Sequence, residues 1–194
     1  MGFFDILLGR TKPVQPNLDV LFAIPGAAFT LQAARDLVPT GAGAVCFRAA
    51  EGAAAHQTER DIRDLLNLDP GVTISVSKDE YGYTWVVCRQ AEGEVDLPTL
   101  MTDLHGVNST LVENGFGPFL LCTVIGFTGE HDGKRQRLGL IYLYKRGTVY
   151  PFAPIGPQQR DTDLELQVRA DITGDVPVES DLSRWFPIWG SPVP

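Results

Sequence analysis

The sequence predicts an α+β fold, an antiparallel sheet built from β-hairpins with helices packed mainly on one face. Three observations predict it. Two pairs of apolar runs, residues 72–76 with 83–87 and 119–127 with 137–144, are each joined by a polar stretch containing glycine. Between the pairs, Leu97, Leu100, Leu104, Val107 and Leu111 recur at helical spacing. The composition, 44% hydrophobic and 21% charged over 194 residues, is that of an ordinary globular chain. Hairpins alternating with helices favour a layered antiparallel sheet over a parallel one. The chain divides into an N-terminal amphipathic segment with linker, 1–16, and a single domain, 17–194, with an aromatic C-terminal tail.

Taken in order, residues 2–9 suit a short helix, with Phe3, Phe4, Ile6, Leu7 and Leu8 on one broad face and Gly2, Asp5 and Gly9 opposite. Burying that face roughly offsets the cost of ordering eight residues, so the segment is helical only when docked. Gly9 to Pro16 reads as a linker. Asn17 is placed to cap a helix from Leu18 to about Ile24, ended by Pro25-Gly26. Strands follow at Ala28–Gln32 and Gly43–Ala49, with a turn at Pro39-Thr40-Gly41. Ile62, Leu65 and Leu66 mark a helix over about 53–68, stopped by Asp69-Pro70-Gly71.

Val72, Ile74 and Val76 alternate with Thr73, Ser75 and Ser77, the period of a strand. Asp79 to Gly82 turns the chain, and Tyr83, Trp85 and Val87 share one face of the return strand. The next helix has Asp96 before it, Pro98 in its first turn and Asn114-Gly115 at its end. The second hairpin, Phe119–Phe127 with Arg137–Tyr144, closes through a polar loop from Thr128 to Gln136. A short strand is expected at Thr148–Phe152. Residues 164–168 fit strand alternation and helical spacing equally. Trp185, Phe186 and Trp189 give the tail enough apolar surface to wrap onto the domain.

Charge and cysteine usage narrow the function. Sixteen basic and 24 acidic side chains give a net charge of −8, with ten acidic against four basic groups in residues 51–100. Such a chain repels phosphate backbones, so nucleic acid is not an expected partner. No apolar run reaches the ~18 residues that cross a bilayer. Cys46, Cys88 and Cys122 are odd in number, far apart and each within an apolar run, which reads as core packing in a reducing compartment. The opening residues carry no basic start before the apolar stretch and no small-residue cleavage site, so no signal peptide is expected.

Motifs of chemistry are sparse. The sequence has no G-x-S-x-G elbow and no P-loop. His56, His105 and His131 lack the paired spacing of a helical metal site. His105 and Ser109 are helical neighbours, but Asp103, two residues before His105, points away from it, so a boundary histidine is the stronger reading than a catalytic pair. Asp79-Glu80 reads as turn chemistry rather than an acid/base pair. Lys134-Arg135 and Lys145-Arg146 bracket an apolar strand. They read first as charges guarding it against aggregation, and second as a basic rim for anionic partners. The expectation is therefore no catalytic residue, no cofactor and no metal.

Several stretches in order carry a resemblance: MGFFDILLGRTKP, NLDVLFAIPGAA with GAVCF, DEYGYTW, LMTDLHGVNSTL with NGFGP, LGLIYLYKRGTVYPFAP, LELQVRA and LSRWFPIWG. The chain resembles the PspA-associated protein PspAB family of actinobacteria and haloarchaea over nearly its whole length. The resemblance implies a non-enzymatic, cytoplasmic accessory of a PspA-type envelope-stress (phage-shock) response. It implies a PspA-like coiled-coil partner and peripheral contact with the inner-membrane surface. Within that reading Phe3, Phe4, Ile6, Leu7 and Leu8 are the expected partner-binding residues. The alternative is a peptide-binding or chaperone-like module, whose α+β layout resembles type III secretion chaperones. An enzyme built on His105 and Ser109 is the third reading.

Overall fold

The structure is a computed structural model that describes residues 16–48, 72–93 and 95–194. The docking segment expected at residues 3–8 and the helix expected over 53–68 lie outside the described residues. Among the described residues the elements run as a 3-10 turn at Leu18–Ala23, α1 (Ile24–Arg35), β1 (Val38–Phe47), β2 (Val72–Lys78), β3 (Thr84–Gln90), α2 (Leu97–Glu113), β4 (Leu120–His131) and β5 (Lys134–Leu143). They end with β6 (Thr148–Phe152), a small ribbon of β7 (Pro154–Gly156) and β8 (Gln159–Arg160), α3 (Thr162–Ile172) and a tail. The main sheet has six antiparallel strands in the order β2-β3-β1-β4-β5-β6. The fold is α+β, as the hairpin pattern predicts.

The first region corrects the sequence reading. Residues 28–32 are helix, not strand, and Pro25-Gly26 opens α1 instead of ending a helix. Proline costs nothing in the first helical turn, where its missing N–H has no partner to lose. Ile24, Ala27, Ala28 and Leu31 are buried at i, i+3, i+4 and i+7, the spacing of a helix face. Asn17 makes no side-chain cap; its carbonyl accepts from Val20 N–H and from the Tyr142 hydroxyl.

Two further boundaries move. Pro39-Thr40-Gly41 lies inside β1 rather than in a turn, where pairing with β4 shifts register between Pro39 and Gly43. A bulge absorbs the irregular residues without ending the strand. The expected loop from Thr128 to Gln136 is mostly strand, because β4 and β5 stay paired out to His131 and Lys134. Asp132 and Gly133 close the hairpin with φ of 51° and 70°. A two-residue turn with both centres left-handed matches the twist of the strands, so the ladder need not end early.

Other elements form as expected. Asp96 caps α2 by accepting from Thr99 N–H at 3.0 Å. That backbone bond, with a second from the Thr99 hydroxyl, holds its carboxyl below the usual carboxylate range. Leu97, Leu100, Leu104, Val107 and Leu111 are all buried. Residues 164–168 resolve as helix, with Leu164, Val168 and Ile172 buried on one side of α3.

Two apolar clusters form. One joins the buried side chains of α1, α2 and α3 to Val45, Phe47, Val86, Ile125, Leu140 and Tyr142 of the sheet. The second joins the intervening strand residues, Ala44, Cys46, Trp85, Val124, Ile141 and Tyr150, to Trp185, Ile188, Trp189 and Val193 of the tail. Since neighbours in a strand point to opposite faces, these are the two faces of one sheet. The tail also covers an edge. Val149 N–H donates to the Pro177 carbonyl and Glu179 N–H to the Val149 carbonyl, each at 2.8 Å, which satisfies outer backbone groups of β6.

Candidate functional site

The tail does not cover its face of the sheet completely. It leaves a cavity of about 730 Å³, within the range that small-ligand sites occupy. Its most buried lining residues are Cys46, Trp85, Leu120, Cys122 and Tyr150. Its sides are formed by Leu121, Leu143, Ile188 and Trp189, and its exposed edge by Tyr81, Lys145, Arg146 and Phe186. Strand alternation places the sheet contribution. Trp85, on β3 beside β1, points to the same face as Cys46 and Tyr150, and the return from β6 through α3 carries the tail across them.

The polar atoms of the buried floor are already paired. The Tyr150 hydroxyl donates to the Phe186 carbonyl at 2.7 Å. The Trp85 indole N–H donates to Asp79 Oδ2 at 2.8 Å, while Asp79 Oδ1 accepts from the backbone N–H groups of Tyr81 and Tyr83. Cys46 and Cys122 are direct cross-strand partners on β1 and β4. The Cys46 thiol is pushed well above its ordinary value, first by its bond with Cys122 and then by burial. Burial drives the Tyr150 hydroxyl up as well. These groups stay neutral at physiological pH, so the floor presents an uncharged, apolar surface.

Charge gathers at the edge. Glu179, itself buried, accepts from Arg146, from the Thr148 hydroxyl at 2.9 Å and from Asp181 N–H at 3.0 Å. Arg184 lies 3.9 Å from the same carboxylate and 3.4 Å from Asp181. Both arginines are thus engaged by the tail. Lys145 has no ion pair among the described residues and is exposed.

A second buried charge braces the tail from below. Glu165 on α3 accepts from Ala153 N–H at 2.8 Å and pairs with Arg160 at 2.7 Å. Arg160 also donates to the Trp185 carbonyl at 2.8 Å. Trp185 in turn stacks on Tyr150, with ring centroids 5.9 Å apart.

The sequence-derived candidates fall elsewhere. His105 Nδ1 and Ser109 Oγ stand 3.5 Å apart on α2, and the His105 ring packs against Phe22 at 5.1 Å. Neither residue lines the cavity. Asp79 acts as a turn acceptor, as read from the sequence. Phe3, Phe4, Ile6, Leu7 and Leu8 lie outside the described residues. Reasoning from sequence missed Leu121, Cys122 and Tyr150 as wall residues. Their only signal was that residues 119–127 and 148–152 are apolar at successive positions, which gives each strand two apolar faces.

Residues 1–193 match the family PspA associated protein B. The chain belongs to that family. No curated protein and no solved structure matches this PspA-associated chain. Among the described residues of this family member, no helix is long and apolar enough to cross a membrane, and no cluster of three or more histidine, cysteine or acidic side chains is arranged to hold a metal ion.

Proposed function

We propose that this PspA-associated protein is a non-enzymatic adaptor of a PspA-type envelope-stress response, acting through protein–protein contacts on the cytoplasmic side of the membrane. The match of residues 1–193 to the PspA-associated family carries the reading. Residues 17–194 act as one domain, and residues 1–16 as its appendage. Phe3, Phe4, Ile6, Leu7 and Leu8 supply an apolar face too short to be stable alone, which orders on a PspA-like coiled-coil partner. Peripheral location at the inner face of the membrane follows from that partner.

Co-purification from the native source tests this reading, using the full chain and a full-length variant with Phe4→Asp and Leu7→Asp. A PspA-like protein recovered by the full chain and lost by the variant is the expected result. Recovery by both moves the contact to the folded domain. Recovery by neither overturns the adaptor reading.

One observation favours the alternative of a peptide-binding module, namely the apolar cavity on the tail side of the sheet. The paired state of its floor weighs against it. A peptide seated there would bury backbone N–H and C=O groups against side chains whose hydrogen bonds are already made.

A further inference from the structure

We propose that the cavity between the sheet and the C-terminal tail binds a free, single-chain fatty acid, with the acyl chain on the floor and the carboxylate at Lys145. The inference does not depend on the adaptor reading. Cys46, Trp85, Leu120, Cys122 and Tyr150 form a floor with no unpaired polar side-chain atom, so whatever fills it deeply must be apolar. The volume of about 730 Å³ suits a small ligand.

The edge selects the head group. Asp79, the carboxylate on the wall, is occupied by three N–H donors. Arg146 and Arg184 are held by Glu179 and Asp181. Lys145 is the lining cation that makes no ion pair among the described residues, so its charge is not already offset by a carboxylate. An apolar chain ending in one negative charge is complementary to both parts, and an uncharged chain to only one. A bilayer phospholipid is a poorer fit, because it would bring two chains to a cavity closed on one side by the sheet and on the other by the tail.

The test uses the full chain and a dansyl-labelled undecanoate whose fluorescence rises on entering an apolar site. Oleate and its methyl ester compete for the probe, and phosphatidylglycerol vesicles are assayed separately by co-sedimentation. Expected are saturable probe binding, displacement by oleate, and weaker displacement by the ester. Lys145→Glu should weaken oleate by about fivefold or more and leave the ester nearly unchanged. Leu121→Trp, which narrows the cavity, should weaken both ligands. Absence of saturable binding overturns the proposal. So does equal competition by acid and ester, or an oleate affinity unmoved by Lys145→Glu. Binding to vesicles without binding to oleate overturns it in favour of a membrane surface. The acid-against-ester comparison in the unmodified chain keeps the test valid if Leu121→Trp fails to fold.

Discussion

The indole N–H of Trp85 donates to the carboxylate of Asp79 at 2.8 Å, which joins the β2–β3 turn to the floor of the cavity. The other oxygen of Asp79 fixes the turn itself through Tyr81 and Tyr83. Asp79→Ala should therefore cost about 1–3 kcal/mol, since it leaves a buried indole donor unpaired as well as loosening the turn. Urea unfolding followed by tryptophan emission measures the loss, and an unchanged midpoint would show the pairing to be incidental.

Asp79 also meets the tail. A Cβ built on Gly190 would lie 2.7 Å from the Asp79 Cβ and 2.9 Å from its Cγ, closer than side-chain atoms pack. Gly190→Ala should force the tail away from the hairpin. The cost should be about 1–3 kcal/mol, the usual range for overpacking. The nearby Trp189 makes the displacement visible by near-ultraviolet circular dichroism, with far-ultraviolet spectra unchanged.

Arg160 is the sole cation paired with Glu165 among the described residues, and that carboxylate is 1% exposed. Arg160→Leu strands a buried charge and removes the donor to the Trp185 carbonyl. Breaking a buried pair on one side costs about 3–5 kcal/mol. The double variant Arg160→Leu with Glu165→Leu should recover part of that loss, because it removes the unpaired charge. Thermal melts of the single and double variants measure both effects.

Glu179 gives the fold an acid sensitivity with a defined sign. Burial by itself pushes its carboxyl up, but the bonds from Asp181 N–H, Arg146 and Thr148 outweigh burial and hold it below its ordinary value of 4.5. A depressed carboxyl stabilises the native state above the unfolded value and loses that contribution as pH falls through the native one. Stability of the native chain should thus decline below about pH 4.5, and Glu179→Gln should flatten that decline while lowering stability at pH 7. Urea midpoints at pH 3, 4, 5 and 7 follow the effect.

Local physical chemistry was sufficient for much of this fold. The cap at Asp96, the leucine stripe of α2 and the alternation around Val72 and Trp85 each act within a few residues, and all three elements form as the sequence predicts. The charge balance and the family resemblance are likewise properties of the chain, and the match of residues 1–193 agrees with the resemblance. Tertiary contacts decided the rest. Residues 28–32 have strand-compatible side chains, yet burial of Ala27, Ala28 and Leu31 beneath the sheet makes them helix. Residues 164–168 suit either period, and packing of Leu164 and Val168 settles them as helix. The cavity lay beyond any local signal. It depends on Cys46, Trp85, Cys122 and Tyr150 arriving from four strands and on a tail that returns over them. Contacts so distant along the chain are set by sheet order, which no local periodicity encodes.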